Sequence, residues 1–499
     1  MRHGLLGGAT LGAMLALSLG VAAPAWSAAS PSLGAPAREA IELNGESLVD
    51  AINESDDAAR RATLGEIFSA EVLERVGMDR VAGQMASIRD RFGPLDFHHA
   101  ELTEGGSAAQ RRLVLHVYAM SGKTGRWHDL QVRVEPEAPH LLQQLSFIAE
   151  VSEPVYLPNG AITDAETLAW LDDYISGLVE KERLSGSVLL ALGDRVVYER
   201  CFGFADAAEK IPVTAATRFN LGSGNKMFTA LAVMLLEGEG KLQLDTPIAS
   251  YFPSFPDQAA AHAITIAHLL SHTSGVGEYW NEDTAEAVRA AGSASDLLPL
   301  VYRAGVVFDP GERYEYSNSN FVLAGLIVEK VSGRPYDEFV RERITGPLGM
   351  ADTDTFPNDG GVGDLAERLT RGEQGWKALP HFNRGGPAGG GFSTARDILT
   401  FARALKAGRI VPVEVVERMT TSHTPAASRD PGSDYGYGFI LSRSGDQGCY
   451  GHGGIASGVN FEFRHYPGID ATLISFSNQD NGAYDDLRRT AEKLLTGAR

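Results

Sequence analysis

Cysteine is nearly absent from this chain: among 499 residues only Cys201 and Cys449 occur. Two thiols build neither a disulfide framework nor a cysteine-rich metal cluster. Their spacing does not decide between one bridge and two buried free thiols, the commoner role of isolated cysteines. No His-Glu-x-x-His pattern is present either, so no metal centre is expected and no cofactor is implied. Basic blocks are also missing. The formal net charge is −20, from 44 Lys and Arg against 64 Asp and Glu, which argues against a nucleic-acid partner and predicts solubility. A Gly-x-Ser-x-Gly elbow is lacking, which disfavours the strand–elbow–helix hydrolases. Five glycines fall between Gly385 and Gly391 without a following Lys-Ser or Lys-Thr, so that stretch is a loop and not a phosphate cradle.

One long apolar run stands at the N-terminus. Met1-Arg2-His3 precedes Leu5 to about Ala23, and Pro24-Ala25-Trp26-Ser27-Ala28 follows. A basic start, an apolar middle and a small-residue exit read as a signal peptide over 1–28, which predicts a periplasmic or secreted protein. A retained anchor is the alternative, disfavoured by the interrupting glycines and the short apolar core. With no cysteine near the exit, no lipid anchor and no stable membrane insertion after cleavage are expected.

The length predicts two or three domains. Residues 38–150 read as a small α+β domain with no evident chemistry. Helical periodicity, clearest over Ala70–Val76 and Asp79–Phe92, gives way to a period of two over Leu113–Tyr118, Leu130–Val134 and Leu142–Ile148. His98 and His99 are adjacent, so on a regular strand they face opposite ways and make no metal pair. Residues 151–162, with Pro154 and Pro158, form a linker. A capping box at Thr163 and Glu166 then opens an amphipathic helix. A hairpin follows, with Ser187–Leu192 and Val196–Glu199 joined at Gly193-Asp194. Residues from about 240 to 420 are mostly helical. Strands return at Gly438–Leu441, Val459–His465 and Thr472–Phe476, and Ala483–Leu495 closes the chain as a helix. Strands near both ends of 163–499 predict an antiparallel sheet assembled from the two ends, flanked by helices, with a helical lobe inserted: an α+β class.

The segment Phe219–Lys241 organises this second domain. From Met227 to Leu236 only Thr229 is polar, so the helix belongs in a domain centre. Ser223 and Lys226 lie at its start, three residues apart and on one face. A lysine at the mouth of so apolar a helix is pushed toward its neutral form, which accepts protons. A serine at a helix N-terminus has free N–H groups and the positive dipole end beside it. Nucleophile, base and oxyanion site thus arise locally, although an N-cap serine followed by a snorkelling lysine would read the same way.

Two further segments occupy comparable places. Tyr316-Ser317-Asn318 precedes a second apolar helix, Phe321–Val328, and His452-Gly453-Gly454 precedes a strand. With Leu269-Leu270-Ser271-His272-Thr273-Ser274-Gly275 and Pro347-Leu348-Gly349-Met350, the chain from about 163 to 497 resembles the serine β-lactamase and penicillin-binding-protein superfamily. It is most similar in pattern to class C β-lactamases and their esterase and D-aminopeptidase relatives. The resemblance implies that Ser223 carries the acyl group and Lys226 takes or relays its proton. Tyr316 shares in base and leaving-group proton transfer, and Asn318 orients substrate and Lys226. His452, with Gly453 and Gly454, lines the strand wall, and the N–H groups of Ser223 and Ile455 form the oxyanion hole.

Tyr279-Trp280-Asn281 repeats the Tyr-x-Asn pattern without a buried helix behind it. Ser271 and His272 are adjacent, so their side chains diverge and a turn or cap role is expected. The family's third-motif lysine is replaced by His452, mostly neutral at pH 7, and no class A deacylation glutamate stands out. The implied function is an exported serine hydrolase acting on an ester, a small amide or a D-amino-acid peptide. The alternatives are a β-lactamase or D-Ala-D-Ala carboxypeptidase, and a non-catalytic penicillin or cell-wall sensor. Nothing in the sequence fixes an oligomeric state.

Overall fold

The computed structural model describes residues 35–105, 112–124, 127–135, 137–151, 161–355, 364–372, 375–381, 385–428, 433–444, 447–479 and 483–497. The signal-like stretch 1–28 and linker residues 152–160 lie outside the described residues. No described helix is long and apolar enough to cross a membrane. The chain divides into two compact units, Met1–Tyr156 and Leu157–Arg499.

In the first unit, helices Ala35–Asn53, Asp57–Ile67, Ala70–Val76 and Met78–Phe92 are followed by strands Leu95–Gly105, Arg112–Ser121, Trp127–Val134 and Leu142–Val151. The strands pair in chain order as an antiparallel meander. Alternation decides which face is covered: Leu113, Leu115, Val117 and Ala119, with Leu130, Val132 and Val134, pack into one core with Leu48, Ile52, Leu64 and Met85 from the helices. His98 and His99 depart from the regular-strand expectation. A register shift between Phe97 and His99 brings their Nδ1 atoms within 2.7 Å. A bulge breaks the alternation on which that expectation rested. Among the described residues no group of three or more His, Cys, Asp or Glu is placed to hold a metal ion.

The second unit is built on a seven-stranded antiparallel sheet. Its order is Ser433–Tyr435, Ile440–Ser444, Gln447–Ala456, Val459–Tyr466, Ala471–Ser477, Gly186–Leu192, Arg195–Phe202. The two ends of the unit therefore meet where Ala471–Ser477 pairs with Gly186–Leu192. Both of these strands are buried along their length without alternation because both faces are covered. Leu189, Phe461, Ile474 and Phe476 pack with the central helix on one side. Val188, Leu190 and Leu473 pack with helices Ala165–Glu180 and Ala483–Thr496 on the other.

Three sequence expectations shift, and the two readings left open for the cysteines are resolved. The capping box at Thr163 does not form. Asp164 holds the N-cap position of helix Ala165–Glu180 without a side-chain cap bond, because its Oδ2 accepts from the Ala161 N–H of the preceding turn at 2.8 Å. His452-Gly453-Gly454 lies inside strand Gln447–Ala456, which its glycines hid because they carry no β signal. The helical region 240–420 also holds a hairpin, Arg368–Gly372 with Gly375–Leu379. Cys201 and Cys449 are both free thiols. They sit on strands separated by three others and pack into cores on opposite faces of the sheet, beyond the reach of a bridge.

Candidate active site

Ser223 lies in a short 3₁₀ turn, Gly222–Gly224, that runs directly into the central helix Asn225–Gly238. The tighter turn brings residues three apart nearly into line, and Lys226 Nζ lies 3.0 Å from Ser223 Oγ. Lys226 is completely buried. Its Nζ also donates to Asn318 Oδ1 at 2.7 Å and to the Ala388 carbonyl at 2.5 Å. It stands 4.9 Å from the Tyr316 ring centroid. Burial pushes its pKa down to about 7, with the Glu278 carboxylate opposing that shift.

The second segment delivers its side chains to the same point. Helix Asn318–Ser332 is buried from Ser319 to Val328 and ends at Gly333 in the left-handed conformation. Tyr316, just before it, donates from Oη to Ser223 Oγ at 2.8 Å. Desolvation holds this phenol well above its ordinary range, so it is protonated at neutral pH. Gly325 serves a close approach: a Cβ there would come within 2.0 Å of the Pro387 ring. The glycine-rich loop thereby closes onto the helix and brings Ala388 to Lys226.

The third segment contributes backbone more than side chain. Strand Gln447–Ala456 runs against the Ser223 turn so tightly that a Cβ on Gly454 would lie 2.0 Å from the Leu221 carbonyl oxygen. Ile455 has its side chain 78% exposed at the cleft rim. His452 is only 1% exposed and is not among the residues lining the cleft. It sits behind the strand wall, with Nε2 2.9 Å from Tyr435 Oη and Nδ1 2.6 Å from the Gly453 carbonyl. Burial, and then the nearby Lys226, lower its pKa to about 3.

These groups open onto a cleft of about 570 Å³. Ser223, Tyr316, Asn318 and Glu278 supply its polar floor, and Trp280, Val288, Leu297 and Ile455 its apolar walls. A protonated phenol and a lysine poised to lose its proton flank one hydroxyl at the cleft floor, which is the equipment for general base-assisted nucleophilic attack.

Several contributors escaped the sequence reading. The Gly385–Gly391 loop, read only as a loop, supplies the Ala388 carbonyl to Lys226 and is pinned by Asn225, whose Oδ1 accepts from the Gly391 N–H at 2.9 Å. Its glycine density was the available signal. His272 stands in a turn, as expected, but its ring is also fully buried, 4.2 Å from that of Tyr316, with Nδ1 accepting from the Ser317 N–H at 3.2 Å. Glu278 has no motif around it. In the competing triplet Tyr279 and Trp280 border the same cleft, but Asn281 accepts from the N–H groups of Asp283 and Thr284 and caps a 3₁₀ turn.

The β-lactamase profile matches residues 171–498, and the chain belongs to that family, within the serine β-lactamase and penicillin-binding-protein superfamily. It is a serine hydrolase. Among its relatives is the putative penicillin-binding protein PbpX of Bacillus subtilis (strain 168), 28% identical over 317 residues, covering 62% of this chain and 74% of the relative. Esterase EstB of Burkholderia gladioli is 34% identical over 211 residues, covering 39% of this chain and 53% of the esterase. Of solved structures, a penicillin binding protein from Bacillus halodurans superposes with a TM-score of 0.59 at 33% identity, over 64% of this chain and 99% of that one. D-amino acid amidase from Ochrobactrum anthropi SV3 does so with a TM-score of 0.57 at 27% identity, over 66% and 99%.

Proposed function

We propose that this serine hydrolase is exported and works through a Ser223 acyl-enzyme on an ester, a small amide or a D-amino-acid peptide. One observation carries the reading: Ser223 Oγ lies 3.0 Å from a buried Lys226 Nζ and 2.8 Å from Tyr316 Oη at the floor of an open cleft. A neutral Lys226 retains two N–H groups. The Asn318 oxygen and the Ala388 carbonyl take both, which turns the lone pair toward Ser223. The serine proton then passes to Lys226 as Oγ attacks the carbonyl carbon. Tyr316 donates to the leaving group, and the N–H groups of Ser223 and Ile455 receive the oxyanion. Water releases the acyl group by the same relay in reverse.

The relatives named an esterase and a D-amino acid amidase support an ester or small amide as substrate. The third motif favours them over substrates carrying a carboxylate. His452 is buried and neutral, and stands where a lysine would present a fixed cation. β-Lactamase or D-Ala-D-Ala carboxypeptidase activity is therefore the second reading, supported by the penicillin-binding relatives. The intact Ser–Lys–Tyr constellation disfavours a non-catalytic sensor.

The test is labelling of wild type and Ser223→Ala with a fluorophosphonate and a fluorescent penicillin, alongside turnover of p-nitrophenyl acetate. Labelling and turnover that vanish together in the variant support the reading. A folded wild type that neither labels nor turns over would sink it. A panel of esters, D-peptides and β-lactams then ranks the substrates.

A further inference from the structure

Glu278 lines the cleft, yet its carboxylate is already engaged by the protein. Oε2 accepts from the Asn318 backbone N–H at 2.8 Å and from Asn318 Nδ2 at 3.0 Å. Oε1 accepts from the Trp280 N–H at 2.8 Å. The segment that carries it is fixed as well, because the hydroxyls of Ser317 and Ser319 both donate to the Gly277 carbonyl, at 3.1 and 2.6 Å. A carboxylate can only accept. It therefore dictates which end of the Asn318 amide points where, with the NH₂ toward Glu278 and the oxygen toward Lys226 Nζ. A flipped amide would present a donor to the amine and compete with Ser223 for its lone pair.

We propose that Glu278 is a positioning residue for acylation: it locks the Asn318 amide with its oxygen on Lys226 and places a carboxylate that faces this base. The inference rests on Ser223 as nucleophile and Lys226 as base. The other titratable groups facing Lys226 are Tyr316, His272 and His452. Burial keeps the phenol protonated and both imidazoles neutral, so none of them substitutes for the negative charge. Three N–H donors from the protein, on its two oxygens, hold the Glu278 carboxylate in place.

The experiment measures fluorophosphonate labelling rates at Ser223 between pH 5 and 9 for the full chain, as wild type, Glu278→Gln and Glu278→Ala. Glutamine keeps an acceptor for Asn318 and removes the charge, so the acid limb of the profile should move down by about one pH unit. Alanine frees the amide and should slow labelling at every pH by about 10- to 100-fold. A Glu278→Gln limb coincident with wild type, or Glu278→Ala labelling within a few-fold of wild type, overturns the inference while leaving Ser223 as nucleophile. A wild type with a sharp thermal transition that does not label overturns both.

Discussion

The chain contains two Tyr-x-Asn triplets that both border the cleft, and their asparagines have different fates. In Tyr279-Trp280-Asn281 the asparagine side chain is consumed locally, accepting the Asp283 and Thr284 N–H groups at 3.0 and 3.2 Å to start a 3₁₀ turn. In Tyr316-Ser317-Asn318 the exposed N–H at the helix start goes to Glu278 at 2.8 Å, and the Asn318 oxygen is left to meet Lys226. The triplet therefore specifies two side chains but not their destination. The residues just downstream decide it. Glu-Asp-Thr after the first supports only a short polar turn, whereas Ser-Asn-Phe-Val-Leu after the second is pulled into the core and carries Tyr316 and Asn318 to a fixed point beside the central helix. Capping by a distant carboxylate in place of the local asparagine leaves the Asn318 side chain free to contact Lys226.

The largest effect that probes this contrast comes from the shared partner of the second triplet. Lys226→Ala should lose esterase activity about as fully as Ser223→Ala, on the order of 10⁴-fold or more, because residues that act as a unit are not additive. A Lys226→Ala rate near wild type in a p-nitrophenyl acetate assay would remove the base. The two tyrosines come next. Tyr316→Phe should cost on the order of 10²- to 10⁴-fold in kcat/KM, the range of positioned proton transfer. Tyr279→Phe, at a residue that borders the cleft but is 5% exposed, should stay within a few-fold, because the phenol on Ser223 is that of Tyr316. Equal losses in the pair would dissolve the contrast.

The asparagines sharpen it further by separating rate from stability. Asn318→Ala removes one hydrogen bond to a buried charged group, and kcat/KM should fall about 10- to 150-fold. Asn281→Ala removes a cap and should lower stability by about 1 kcal/mol in urea unfolding while leaving the rate in place. An Asn281→Ala variant that loses rate without stability would reverse the two assignments.

How much of this could be read beforehand depends on which forces are local. The sheet joining both ends of the second unit was legible because Ser187–Leu192 and Thr472–Phe476 are short apolar runs bounded by turns. The central helix was legible because its apolar character is continuous. Ser223, Lys226, Tyr316 and Asn318 were legible because each stands at the edge of such an element. Strand Gln447–Ala456 was hidden by its glycines, of which Gly454 serves the close approach to Leu221, a contact between segments far apart in sequence. Glu278 and Ala388 were invisible for a related reason. One acts through a carboxylate and the other through a main-chain carbonyl, and neither residue type is distinctive until the fold brings it to Lys226. Ser271 and His272 stand in a turn with diverging side chains, as expected, but the turn role did not reveal where the imidazole goes. The divergence sent that ring behind Tyr316 while Ser271 turned to Thr273, with the two hydroxyl oxygens 2.9 Å apart.

The third segment tests whether a motif residue can matter by packing alone. Lys226 accepts a proton only when neutral, and with its pKa lowered to about 7 the rate should rise with pH through that value and be lost below it. His452, with a pKa near 3, is already neutral across the same window and should add no limb of its own between pH 4 and 8. His452→Gln exchanges one neutral hydrogen bond to Tyr435 for another, so its kcat/KM should fall by no more than about fivefold with the acid limb unmoved. A limb displaced in His452→Gln would mean that the imidazole titrates with the base. The strand wall would then join the Tyr316 segment as chemistry, and the line drawn between the two triplets would have to be redrawn around charge instead of burial.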